Sequence, residues 1–318
     1  MTMQAIGLLI EFKDGKIKDA NLGMATAARG TDRKLFALVL DAPAEEAREA
    51  MSAYGVSRII DIRTGMDGWN PAAGVEAVTA AMQEHGISDL IGLTTPTGRE
   101  LLPRVAARLD APLVMDCTAI DLTNHRVETS QHSSKTIASI ALTGSHFIYG
   151  LRTKVVAPVK APTEAQVMEF SFERGLKTTY QVIETRTDKA GDQLLAEADV
   201  IFSGGRGMKN GENFRLLFDS ARHINASVGA SRVAVDNGWV PYAMQVGQTG
   251  VKVNPKVYLA FGISGSVQHF AGMKTAETII AINTDEKAAI MANCDYYAVG
   301  DLLEILPELE KALANAVS

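Results

Sequence analysis

Cysteine is almost missing from this chain: Cys117 and Cys294 are the two present in 318 residues, and neither has a second cysteine or a histidine at ligand spacing. That excludes a disulfide framework and a zinc site, and it favours a reducing compartment, here expected to be the cytoplasm. An excess of positive charge is missing as well. Lys and Arg total 31 against 37 Asp and Glu, a formal net charge of -6, which gives nucleic acid nothing to hold. No apolar run reaches the roughly 18 residues that a membrane span needs, so no membrane insertion is expected. Met1 to Phe12 carries neither a basic stretch nor a small-residue cleavage site, so no export signal or transit peptide is expected. What remains is an ordinary globular composition, 47% hydrophobic and 21% charged, in a chain long enough for two domains.

Short apolar runs alternate with amphipathic segments along the first third. Ala5 to Ile10, Leu35 to Leu40, Arg58 to Ile62 and Leu90 to Leu93 read as strands, with helices over Pro43 to Tyr54, Pro71 to His85 and Arg99 to Leu109. This βα rhythm implies a mostly parallel sheet. After Pro112 the pattern turns extended, at Val127 to Thr129, Lys135 to Leu142, Phe147 to Leu151, Lys154 to Val159 and Glu169 to Phe172. The polar run Thr185 to Asp192 has no apolar anchor and reads as a linker. Beyond it a second series begins: strand Asp199 to Ser203, helix Glu212 to Ile224, strands Ser231 to Val235, Val257 to Phe261 and Ile279 to Ile282, and a closing helix Leu302 to Ala316. The expected fold class is α/β with two Rossmann-like domains. Residues 1–190 form an N-terminal domain with extra strands, and residues 191–318 form a C-terminal domain on a parallel sheet.

Four polar loops punctuate the second domain. Gly204-Gly-Arg-Gly follows a strand and opens toward a helix, so it forms either an anion-binding nest of amides or simply a tight turn. Gly229-Ala-Ser-Arg presents Ser231 and Arg232 just ahead of the expected strand, and Val246-Gly-Gln-Thr-Gly brackets Gln248 and Thr249 with glycines. Gly262 and Gly265 let the backbone come close to a ligand, while Ser264, Gln268 and His269 place several hydrogen-bonding groups within six residues. Neither the dinucleotide fingerprint nor a Walker loop is present. Together the loops suggest one large ligand with polar edges. The remaining histidines, His85, His125, His132, His146 and His223, read as ordinary surface or loop residues.

These four motifs in order, with Ile282-Asn283 and Gly300-Asp301-Leu302 after them, resemble the electron transfer flavoprotein alpha subunit over Asp199 to Leu313. Gly98-Arg-Glu-Leu and Pro103-Arg104 extend the resemblance more loosely into the first half. The resemblance implies an FAD site made by Arg206, Ser231, Arg232, Val246, Gly247, Gln248, Thr249, Ser264, Gly265, Ser266, Val267, Gln268, His269, Asn283, Asp301 and Leu302. In it Arg232 lies against the flavin ring, Thr249 near N5 and His269 toward the pyrimidine carbonyl. Ser264 serves the pyrophosphate, and Asn283 and Asp301 the ribose and adenine end. A unit charge at ~4 Å and an effective dielectric of ~20 is worth about 4 kcal/mol before desolvation. An effect of that size shifts a one-electron potential by on the order of 100 mV.

The resemblance further implies an electron carrier and not an enzyme, with no catalytic residue and no metal. It implies a heterodimer with an electron transfer flavoprotein beta subunit, bound to the first domain as scaffold. The donor would be a flavoprotein dehydrogenase, as in fatty acid beta-oxidation by acyl-CoA dehydrogenases, and the acceptor a quinone reductase or similar protein. A bifurcating subunit using NADH through a second FAD on the beta subunit is the alternative within the family. A nicotinamide-dependent dehydrogenase is the alternative outside it, and it lacks the fingerprint with an acidic residue about 20 positions on. A nucleotide-binding subunit that had lost flavin is a third. Two positions depart from the family pattern, Asn237 for a small residue and Tyr242 for a polar one, either at the flavin edge or merely on the surface.

Overall fold

The computed structural model describes residues 5–66, 68–131, 136–172, 183–184 and 195–317. The expected linker, Thr185 to Asp192, lies outside the described residues. The chain divides into two compact units, residues 1–130 with 137–187 and residues 131–136 with 188–318. No helix among the described residues is long and apolar enough to cross a membrane.

The first unit holds a nine-stranded sheet. Its opening run, β1 (Ala5–Ile10), is buried at every position, as an apolar strand covered on both faces must be. A small hairpin follows, β2 (Phe12–Lys13) and β3 (Lys16–Ile17), and then come β4 (Leu35–Leu40), β5 (Val56–Arg63), β6 (Ile87–Leu93), β7 (Leu113–Asp121), β8 (Arg126–Gln131), β9 (Thr136–Ala141), β10 (Phe147–Leu151) and β11 (Gln166–Ser171). The order is β11-β5-β4-β1-β6-β10-β7-β8-β9. Pairing is parallel from β11 to β7 and antiparallel between β7 and β8. Helices α1 (Ala20–Ala28), α2 (Ala44–Met51), α3 (Pro71–Glu84) and α4 (Pro96–Leu109) join the strands, the last two started by Asn70 and Thr95 side chains that accept from the amides of Ala73 and Gly98.

The strand expected over Lys154 to Val159 does not form. Lys154 sits at φ 58°, a left-handed turn, and the Val159 amide donates to Thr26 Oγ1 at 2.9 Å and not to a neighbouring strand. His125 is also more than a loop residue. Its ring stacks on Phe147 with centroids 3.6 Å apart, and its Nδ1 lies 3.0 Å from Tyr149 Oη, which donates to the fully buried Asp89. Arg33 pairs with the same Asp89 carboxylate, and Arg152, just after β10, grips Asp116 of β7 through two bonds of 2.9 Å.

The second unit is a five-stranded parallel sheet of β12 (Val200–Gly204), β13 (Ser227–Ala230), β14 (Val257–Phe261), β15 (Thr278–Asn283) and β16 (Tyr296–Val299), ordered β13-β12-β14-β15-β16. Alternation along the strands divides the core between the two faces. Ile201, Tyr258, Ala260 and Ile279 pack on one side, and Phe202, Phe261 and Ile282 on the other with Leu217 and Leu306. Those two leucines belong to α5 (Phe214–Arg222) and α8 (Leu302–Val317), while α6 (Arg232–Asp236) and α7 (Val267–Met273) are short.

The segment Ser231 to Val235, read from its valines as a strand, is instead the start of α6. The strand is the preceding Ser227–Ala230, whose small residues carry little β signal. Chain order and spatial order reverse between β12 and β14. In an open parallel sheet, the crevice outside the carboxyl ends of the strands at that reversal is where ligands bind.

Candidate functional site

A cavity of about 540 Å3 lies at that switch point. Four of the five strand ends reach it: Arg206 and Gly207 after β12, Ser231 and Arg232 after β13, Gly262 to Ser264 and Ser266 after β14, and Asn283 at the end of β15. Gln245 to Thr249 and residues Gln268 and His269 of α7 close the remaining wall. Of the residues expected from sequence, Gly265, Val267, Asp301 and Leu302 are not part of the lining. Gly265, at φ 81°, lets its loop pass Ile290, whose amide nitrogen would be 2.4 Å from an added Cβ. Val267 is exposed, and Leu302 is buried in the core beside Phe261. Asp301 caps α8, accepting from the Leu303 amide at 2.9 Å, and it pairs with Lys209 at 3.3 Å.

Close backbone approach explains the glycines at two crossings. A Cβ on Gly207 would lie 2.6 Å from Gly262 Cα, so the loops after β12 and β14 touch backbone to backbone. A Cβ on Gly272 would lie 2.3 Å from the nitrogen of Gly247, which fixes α7 against the Gln248–Thr249 loop. The Gln248 amide donates to the Gln268 carbonyl at 2.8 Å across the same contact.

The polar side chains are held in different ways. Ser231 Oγ is buried and has no hydrogen-bond partner among the described residues. A buried hydroxyl left so costs about 1–3 kcal/mol, and a ligand oxygen or amide in the cavity would remove that cost. Thr249 Oγ1 accepts from Gln245 Nε2 at 2.9 Å, which leaves its own hydrogen for another acceptor. Asn283 is already engaged at both ends, donating to the Ile263 carbonyl at 2.9 Å and accepting from the Asp285 amide at 3.0 Å. It therefore shapes the loop as well as facing the cavity.

Arg206 and Arg232 bring positive charge, opposed by Asp236 and Asp285 on the same lining. Arg232 Nε is 3.2 Å from Asp236 Oδ2, with side chains 70% and 60% exposed, so water and the carboxylate both weaken its field. His269 adds no charge at neutral pH, because burial pushes its pKa down to about 4, against a smaller favourable effect of the Val246 backbone. Its Nε2 lies 3.0 Å from Tyr258 Oη, and its Nδ1 is buried without a hydrogen bond among the described residues.

Sequence reasoning passed over Gln245 and Asp236. Asp236 was accessible in principle as the residue four after Arg232, once that segment is read as helix. Gln245 gave no signal of its own beyond standing next to the Val246 motif. Of the two departures, Asn237 ends α6 by donating to the Val233 carbonyl at 2.9 Å, and Tyr242 donates from its phenol to the Thr249 carbonyl. Neither side chain lines the cavity.

A glycine-shaped crevice, an orphaned hydroxyl and two arginines fit a large anionic cofactor. The family model described as the electron transfer flavoprotein FAD-binding domain matches residues 194–274, and that of the electron transfer flavoprotein domain matches residues 6–173. The electron transfer flavoprotein subunit alpha of Pseudomonas aeruginosa is 33% identical over 310 residues, covering 97% of this chain and 100% of that protein. The mitochondrial electron transfer flavoprotein subunit alpha of Oryza sativa subsp. indica is 37% identical over 76% of this chain and 69% of its own. Protein FixB of Clostridium saccharobutylicum is 32% identical over 96% and 95%. From the first strand to the FAD-binding unit, the chain belongs to the electron transfer flavoprotein alpha family.

Proposed function

We propose that this chain is the FAD-holding half of a heterodimeric electron carrier, paired with a beta subunit. It would take electrons from flavoprotein dehydrogenases, acyl-CoA dehydrogenases among them, and pass them to an acceptor such as a quinone reductase. The observation that carries the reading is the buried, unpartnered Ser231 hydroxyl in a cavity at the sheet's switch point. When bound, FAD supplies one-electron chemistry that no side chain of the cavity possesses.

The chain's own residues would bind, orient and tune. Ser264 and the glycine-flanked amides beside it suit the pyrophosphate, and Ser231 offers a hydroxyl already stripped of water. Thr249, its acceptor site filled by Gln245, is left as a donor toward a ring nitrogen. Arg232 favours negative charge on whatever lies beside it, reduced in strength by Asp236. No acid, base or nucleophile is required, since electrons leave by proximity.

Purification with the co-expressed beta subunit and a visible absorption spectrum test the reading. Flavin bands with one FAD per heterodimer support the carrier, whereas two FAD per heterodimer would move the chain to the bifurcating form. A colourless complex that takes up no added FAD overturns both.

A further inference from the structure

Two carboxylates line the cavity, and only one of them is answered from within the chain. Asp236 pairs with Arg232, whereas Asp285 has no ion-pair partner among the described residues. Its own amide donates to Asn283 Oδ1 at 3.0 Å, and its Oδ1 accepts from the Lys287 amide at 2.9 Å, so the side chain is held at both ends and Oδ2 is left over. An ionised carboxylate only accepts. In a cavity suited to an anionic ligand it would repel phosphate, so it must face a part of that ligand that is uncharged and rich in O–H or N–H donors.

The strand order says which part that is. Ser231 and Arg232 stand at the end of β13, the loops after β12 and β14 fill the middle, and Asn283 and Asp285 follow β15. Three strand spacings of ~4.8 Å put about 14 Å between the two outer ends. The Asp285 loop then returns to the middle, where the Ile290 amide donates to the Ser264 carbonyl at 3.1 Å, and Ala288 of the same loop is a buried apolar residue on the lining. With the ring at Arg232 and the pyrophosphate at Ser264, the nucleoside comes last, along this loop. Asp301, the carboxylate that the resemblance gave to the ribose, is off the lining and caps α8.

We propose that Asp285 is the specificity-determining residue for the nucleoside end of the cofactor, its carboxylate accepting from the ribose hydroxyls of the adenosine while Ala288 gives the base an apolar neighbour. A ribose offers adjacent hydroxyls to one carboxylate, and a 2′-phosphate in their place would be repelled. This assignment rests on the FAD reading of the cavity.

The test is a fluorescence titration of the flavin-stripped heterodimer, wild type and Asp285→Ala, with FAD, with FAD carrying 2′-deoxyadenosine, and with FMN. The wild type should bind FAD about five- to tenfold more tightly than the deoxy analogue, as for one hydrogen bond to a charged group that water also reaches. In Asp285→Ala that ratio should fall to about one, with FMN affinity unchanged because FMN has no nucleoside. A wild-type ratio near one overturns the proposal even if the variant does not fold. A ratio that survives in Asp285→Ala overturns it too, and so does an equal loss of FAD and FMN, which would make Asp285 a support of the loop. A wild-type heterodimer that takes up no flavin removes the FAD reading, and calorimetry with ADP and 2′-deoxy-ADP then decides. A preference for ADP that Asp285→Ala abolishes upholds the ribose contact, and no binding of either overturns it.

Discussion

Gln245 donates its side-chain amide to Thr249 Oγ1 at 2.9 Å, four residues along a loop whose far end is pinned by Tyr242 to the Thr249 carbonyl. Gln245 is 3% exposed, so its amide has no water to turn to, and the threonine hydroxyl is left with its hydrogen as the group to offer. Replacing Gln245 by Met keeps the volume and removes the donor. The hydroxyl then turns inward or rotates freely. FAD affinity measured by fluorescence titration should fall about five- to tenfold, in line with one neutral hydrogen bond of about 1 kcal/mol. Thr249→Ser should keep most of the affinity, and Thr249→Ala should lose as much as Gln245→Met.

Ser231→Ala should separate stability from binding. The hydroxyl has no partner among the described residues, so removing it should leave thermal stability of the cofactor-free protein unchanged or raise it slightly. FAD affinity should nonetheless drop by about 1 kcal/mol. A loss of stability with unchanged affinity would assign the serine to the fold and not to the cavity.

Acid should weaken this protein through His269. Its folded pKa, about 4, lies below the unfolded value of about 6.5, so the unfolded chain binds the extra proton between the two. Stability from the neutral ring is therefore complete above about pH 6.5 and is lost as pH falls toward 4, by up to about 3 kcal/mol. Urea titrations of wild type and His269→Gln across that window should converge at low pH. Parallel curves would show that the histidine does not titrate on unfolding.

Gly272→Ala tests the crossing with Gly247. The new methyl meets backbone 2.3 Å away, which no rotamer change relieves, so either α7 or the Gln248–Thr249 loop must move. Overpacking of this kind costs about 1–3 kcal/mol, and a matching fall in the urea midpoint should be accompanied by weaker FAD binding. Gly238→Ala is the control for glycine loss away from the cavity, since an added Cβ there meets nothing within 4 Å although φ is 70°.

How much of this was legible in the sequence differs between the units. Phe147–Leu151, an unbroken apolar run bounded by polar residues, is found in place residue for residue. Leu113–Asp121 was passed over because its apolar start gives way to Asp116, Cys117 and Thr118, and α1 because alanines and glycine give a helix no distinct apolar stripe. In the second unit the four glycine loops announced the cavity, two of them directly after β12 and β14, strands that periodicity does reveal. The exceptions follow from what sequence pattern omits. Ser227–Ala230 hides among small residues, and β16 is exposed along its length and has no buried face to mark it. Partners such as Gln245 to Thr249 and Tyr258 to His269 depend on where loops fold back, which spacing does not encode.

The most direct test of the account is a spectroelectrochemical titration of the FAD-loaded heterodimer with wild-type chain and with Arg232→Ala. The full effect of an arginine at close range is not expected, because Arg232 is largely exposed and paired with Asp236. With a dielectric near that of water, a charge at ~4 Å is worth about 1 kcal/mol, or about 40 mV for one electron. The account predicts that Arg232→Ala retains FAD and takes its first electron at a potential tens of millivolts more negative, and that replacing Asp236 by Asn as well moves that potential back toward the wild-type value. A first potential equal to that of the wild type would contradict it, because the flavin would then lie beyond the reach of this arginine and of the cavity that holds it.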